Sequence, residues 1–143
     1  MPRSRHRSAR PITLFLPFLL FFVGAMGSAR AQQDREMDYH GIRYVCTGIA
    51  ESRLDPRWAA YPLKLMFTTG GHAYIINVRA TIRDAKGQPI FEAFCPTPWL
   101  LVALAPGRYR VTAVAQEEYR KTVRVRVRAG RQTARAIRFP EMH

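Results

Sequence analysis

The sequence predicts an all-β chain, folded as a two-sheet antiparallel sandwich of seven to eight strands. About eight short segments alternate apolar and polar residues, and turn signals separate them every 8 to 12 positions or so, the spacing of a small sandwich. Proline placement then marks several of these segments as edge strands, because proline cannot donate to a ladder.

Residues 32–40 are polar and charged and read as a flexible lead-in. The domain proper is expected over 41–140. It opens with a strand over 41–47 (GIRYVCT), where Ile42, Tyr44 and Cys46 share a face. Asp55-Pro56 then reads as an N-cap followed by proline at the first helical position. One short helix, or a structured loop carrying Trp58 as a plug, is expected near 52–60. Leu63, Leu65 and Phe67 share one side of the next strand, and Thr69-Gly70-Gly71-His72 is a turn. Residues 74–83 alternate most cleanly, with Ile76, Val78, Ala80 and Ile82 against Asn77, Arg79, Thr81 and Arg83. Asp84-Ala85-Lys86-Gly87 closes a hairpin, with Gly87 free to adopt a positive φ. A strand over 89–95 follows, and the prolines of Cys95-Pro96-Thr97-Pro98 interrupt pairing.

The centre of the chain is 98–114, PWLLVALAPGRYRVTAV. Ala105-Pro106-Gly107-Arg108 suits a type II turn, with Pro106 at the first corner and Gly107 at the positive-φ second one. Beyond it Tyr109, Val111, Ala113 and Ala115 alternate with Arg108, Arg110 and Thr112. Residues 119–128 alternate again, Val123, Val125 and Val127 against Arg124, Arg126 and Arg128. A valine face needs a core, so this arginine face must look outward. After a turn at Ala129-Gly130-Arg131, a last strand covers 133–139.

Residues 1–31 read as a secretory signal peptide. Arg3, Arg5, Arg7 and Arg10 make a basic n-region, 12–23 is a twelve-residue run that is apolar except at Thr13 and Pro17, and Ala29-Arg30-Ala31 fits small-x-small cleavage. The competing reading is an uncleaved anchor, but spanning takes about 20 apolar residues. Cleavage after Ala31 implies a periplasmic or secreted domain with no transmembrane anchor. It leaves 112 residues with 18 Lys and Arg against 10 acids, net +8 of the full chain's +13. Cys46 and Cys95 are the only cysteines. An oxidising compartment lets a disulfide between them persist; two separate buried thiols are the other reading.

The succession IINVRATIRDAKGQPI, then PWLLVALAPGRYRVTAVAQEEYRKTVRVRV, resembles the transthyretin-like domains called carboxypeptidase regulatory-like. Asp84 and Gly87 match their D-x-x-G hairpin. Leu104, Pro106, Gly107, Tyr109, Val111 and Ala113 match L-x-P-G-x-Y-x-V-x-A, and Val123, Val125 and Val127 the alternating strand after it. Thr97-Pro98-Trp99 stands where glycine-proline-tryptophan is expected in small exported proteobacterial relatives. The resemblance implies a transthyretin-like (Ig-like) β-sandwich serving as an accessory module, and its glycines, proline and tyrosine are turn and core residues rather than chemistry.

No nucleophile elbow, P-loop or dinucleotide motif follows any strand. His40, His72 and His143 are isolated from one another, so neither a catalytic residue, a metal site nor a cofactor is expected. The basic stripe is the functional candidate: Arg120, Lys121, Arg124, Arg126, Arg128, Arg131 and Arg135. Guanidinium forks bind phosphate and carboxylate bidentately, which points to an anionic envelope lipid or glycan. A solvated strand face that discourages edge pairing explains the same residues, and arginine bias also follows from a GC-rich genome. An envelope protein docking on a sheet edge is the alternative partner. Export, and the lack of an evident row of exposed aromatics for base stacking, argue against nucleic acid.

Overall fold

The computed structural model describes residues 34–142 together with Pro11 and Thr13; the signal-peptide reading of 1–31 otherwise lies outside the described residues. The period-two alternation becomes nine strands among the described residues: β1 (Glu36–Tyr39), β2 (Ile42–Thr47), β3 (Leu63–Thr69), β4 (Val78–Arg83), β5 (Pro89–Cys95), β6 (Trp99–Val102), β7 (Gly107–Ala115), β8 (Tyr119–Val127) and β9 (Thr133–Phe139). They form a five-stranded sheet, β1-β2-β6-β3-β9, and a four-stranded sheet, β5-β4-β7-β8. The chain is thus an all-β sandwich. All neighbouring strands are antiparallel except β3 and β9, which run parallel.

The alternating residues fill the space between the sheets. Leu63, Leu65 and Phe67 from β3, Ile137 from β9, and Val78, Ala80, Ile82, Val111 and Ala113 from the other sheet are all fully buried. Cys46 on β2 and Cys95 on β5 form a disulfide, Cα–Cα 5.5 Å, which joins the two sheets covalently. Closing a 49-residue separation stabilises by about 4 kcal/mol on the chain-entropy model.

Four details differ from the sequence reading. The lead-in is not all loose: Met37 and Tyr39 alternate with Glu36 and Asp38, pack on the core, and make β1 a ninth strand. The strand expected over 74–83 begins only at Val78, because Asn77 sits at φ 60 and rotates the chain. Ile75 consequently enters the core while Ile76 is 51% exposed. The two segments of the central stretch do not pair across their turn, since β6 and β7 belong to different sheets. Gly107 does not take positive φ; it opens β7. The Tyr109 ring folds back over Gly107, and its hydroxyl donates to the Ala105 carbonyl at 2.6 Å. This is a tyrosine corner, so the P-G-x-Y pattern fixes a sheet-to-sheet crossing.

The outer face of the five-stranded sheet is covered over β2 and β6. Asp55 accepts from the Arg57 amide at 2.9 Å and Pro56 follows it, as expected, but the segment forms two 3₁₀ helices, Ala50–Leu54 and Pro56–Ala60. They press Trp58 and Tyr61 onto Val45 and Leu101 in a second, smaller apolar cluster. The Trp58 indole donates to the Ser52 carbonyl at 2.7 Å. Trp99 lies on the same sheet over Gly48, with the Lys64 ammonium 3.5 Å from its ring centroid.

Candidate anion-binding face

The four-stranded sheet keeps its outer face bare, and its register sets what that face displays. Thr81, Thr112 and Thr122 stand in line across β4, β7 and β8, with Glu92 of β5 beyond Thr81. One step toward the Asp84–Gly87 turn, Arg83, Arg110 and Arg124 make the next row. One step further, Arg108 and Arg126 face each other. On the other side of the threonine row come Phe94, Arg79, Val114 and Arg120.

Like charges directly opposite across a sheet are destabilising, and here five arginines are stacked that way. Acids do not compensate them. Arg79 is paired with Glu92 at 3.1 Å. Asp84 turns its carboxylate into the hairpin, accepting from the amides of Lys86 at 2.9 Å and Gln88 at 3.0 Å. Arg83 donates to the Gly87 carbonyl at 3.1 Å. Among the described residues, the side chains of Arg108, Arg110, Arg124 and Arg126 have neither a hydrogen-bond partner nor an ion pair. These four line a shallow depression of about 650 Å³ with Arg83 and Lys86, and with Asp84 as its one acid. Tyr109 lies on the core side of β7, and burial, with the nearby Asp84 charge second, raises its phenol above its ordinary value.

The residues singled out from the sequence divide between places. Arg124 and Arg126 belong to this depression, and Arg120 lies on the same face beyond the threonine row. Lys121 is exposed but registers opposite the buried Ala113, on the core side of β8. Arg128 and Arg131 flank the turn after β8 and line a different cleft of about 480 Å³ beside Pro62, Leu104 and Pro106. Arg135 lies on β9 in the other sheet. Sequence reading missed Arg83, Lys86, Arg108 and Arg110. The signal was present, since Arg83, Arg108 and Arg110 all occupied polar positions of alternating strands. Only the register of β4, β7 and β8 puts them beside Arg124.

Among the described residues no helix is long and apolar enough to cross a membrane, and no three His, Cys, Asp or Glu side chains gather as metal ligands do. No protein-family model and no curated protein matches the chain.

Proposed function

We propose that the chain is a non-catalytic accessory module of the cell envelope, periplasmic or secreted, of the carboxypeptidase regulatory-like type. In this reading it docks on an anionic envelope lipid or glycan through the outer face of β4, β7 and β8. The observation that carries the reading is the set of mutually opposed arginines Arg108, Arg110, Arg124 and Arg126, left without acid partners on an uncovered sheet face. Such an array costs folding stability, and an external anion would offset that cost. The disulfide suits an oxidising compartment.

Cosedimentation of the chain from residue 32 onward with anionic and neutral lipid vesicles, across a salt series, tests it. The expected result is anion-selective binding that salt weakens and that replacing Arg110, Arg124 and Arg126 together by alanine greatly reduces. Equal binding to neutral vesicles, or no binding, would refute it. A second reading rests on β5, an edge strand with Phe94 45% exposed, which suits pairing with an extended segment of an envelope protein. A complex that persists in high salt and is lost in Phe94→Lys would favour that reading.

A further inference from the structure

We infer that Arg108, Arg110, Arg124 and Arg126 form a subsite for a phosphate monoester carried by an envelope lipid. The inference rests on the docking reading above and names the group that the face recognises. Arg108 opposes Arg126 and Arg110 opposes Arg124, and the two pairs are two residues apart along both strands. Ladder geometry puts neighbouring strands about 4.8 Å apart and every second residue about 6.8 Å along. Four guanidinium-bearing side chains therefore rise from the corners of a cell about 5 by 7 Å, about the footprint of one tetrahedral oxyanion and its hydrogen bonds. Arg83 opposes Arg110 from β4, and Lys86 approaches from the hairpin, making the cell the floor of a depression rather than a ridge.

Charge and donor count select among anions. A carboxylate or a phosphate diester brings a single negative charge and two free oxygens. A phosphate monoester brings about −1.5 to −2 and three acceptor oxygens at neutral pH. Each guanidinium offers five N–H donors in a fixed fork, and none of the four is used inside the protein. One dianion touching both opposed pairs relieves two cross-strand repulsions at once, whereas a monoanion cannot neutralise either pair fully. Asp84, the nearest acid, accepts from two backbone amides through Oδ1 and makes no ion pair with the forks.

The test compares vesicles containing phosphatidic acid, a monoester, with vesicles containing phosphatidylglycerol, a diester, both in neutral phosphatidylcholine and matched for surface potential. At neutral pH the chain is expected to bind the monoester vesicles at least about fivefold more tightly. That preference should grow from about pH 5 to about pH 8, across the second phosphate ionisation near 6. Inorganic phosphate and sulfate, both tetrahedral oxyanions able to carry two charges, should each displace the protein from monoester vesicles better than chloride does at equal ionic strength. The triple change Arg110→Lys, Arg124→Lys, Arg126→Lys keeps the charge and removes the forks. It should abolish the monoester preference while retaining diester binding, with unfolding curves showing that it folds. Equal binding to the two lipids at matched potential would overturn the subsite and leave general anionic docking standing. Failure to bind either lipid would overturn both. Binding of inorganic phosphate itself, read by calorimetry, without any monoester-vesicle binding would show a free-phosphate site and overturn the lipid assignment.

Discussion

Replacing Arg110 by glutamate puts a carboxylate between Arg83 on β4 and Arg124 on β8, its two cross-strand neighbours. With the side chains splayed to about 7 Å, two unit charges repel by about 0.6 kcal/mol in water. A Debye length of about 10 Å at 0.1 M salt halves that figure. The substitution turns two repulsions into two attractions, so the gain is about 1 kcal/mol at 0.1 M salt and about 0.2 kcal/mol at 1 M. Glutamate's weaker strand preference takes back a few tenths, about 0.3 kcal/mol. Urea unfolding of the disulfide-intact chain from residue 32 onward, at both salt concentrations, measures the difference. The midpoint should rise at low salt and return to the wild-type value at high salt, with Arg110→Gln giving about half the effect. A substitution that destabilises at low salt, or acts equally at both concentrations, would refute the electrostatic account of this face. The same variant should bind anionic vesicles more weakly while being more stable, the opposition expected where a strained surface serves a ligand.

Gly48→Ala should cost about 3 kcal/mol or more, because Gly48 sits at φ +100 and an added Cβ would lie 2.5 Å from Trp99 Cγ. Gly107→Ala, where the new Cβ would meet the Tyr109 hydroxyl at 3.4 Å, an ordinary contact, should cost about 1 kcal/mol or less, and paired urea titrations separate the two. Tyr109→Phe removes the hydroxyl bond to Ala105 and should lower stability by about 1 kcal/mol with the fold intact by circular dichroism. Replacing Cys46 and Cys95 together by alanine should destabilise by about 4 kcal/mol in the same assay. Burial, and then the hydrogen bond to Glu36, pushes the Tyr61 phenol up to about 12. A folded value above the unfolded one means that Tyr61's contribution is complete below about pH 10 and is lost as pH rises through about 12. Tyr61→Phe should therefore flatten the alkaline limb of the stability profile, and ultraviolet titration should show one fewer late phenolate than in the wild type.

The parts of the fold legible beforehand were those set by local chemistry. Val123, Val125 and Val127 announced β8 by period alone, and Asp84 with Gly87 announced the β4–β5 hairpin, where Gly87 takes φ 81 and its amide donates to the Asp84 carbonyl. Partnership was harder to read. Pro106-Gly107 carries the residues of a type II turn, yet Tyr109 reaches back to Ala105 and the chain leaves one sheet for the other. In the same way Met37 and Tyr39 were hidden among charges until Phe91 supplied a surface for Tyr39, with ring centroids 5.4 Å apart. The candidate face follows the same pattern. Arg124 and Arg126 stood out as a run, whereas Arg83, Arg108 and Arg110 reach them only through strand pairing, a relation between distant residues that alternation does not encode. Arg135, close to Arg128 in sequence, lies on β9 of the other sheet for the same reason.

Position, rather than total charge, is the central claim, and single alanine substitutions test it most directly. Arg110, Arg124 and Arg126 on the outer face are compared with Arg135 and Arg138 on β9, each change removing one positive charge. The readout is partitioning onto anionic vesicles at low salt. A cation near an anionic surface contributes about 1 kcal/mol, so each outer-face change should weaken binding about fivefold, while the β9 changes should leave it within about twofold. Equal losses at both sets of positions would mean that net charge alone drives binding, and would contradict a dedicated arginine face.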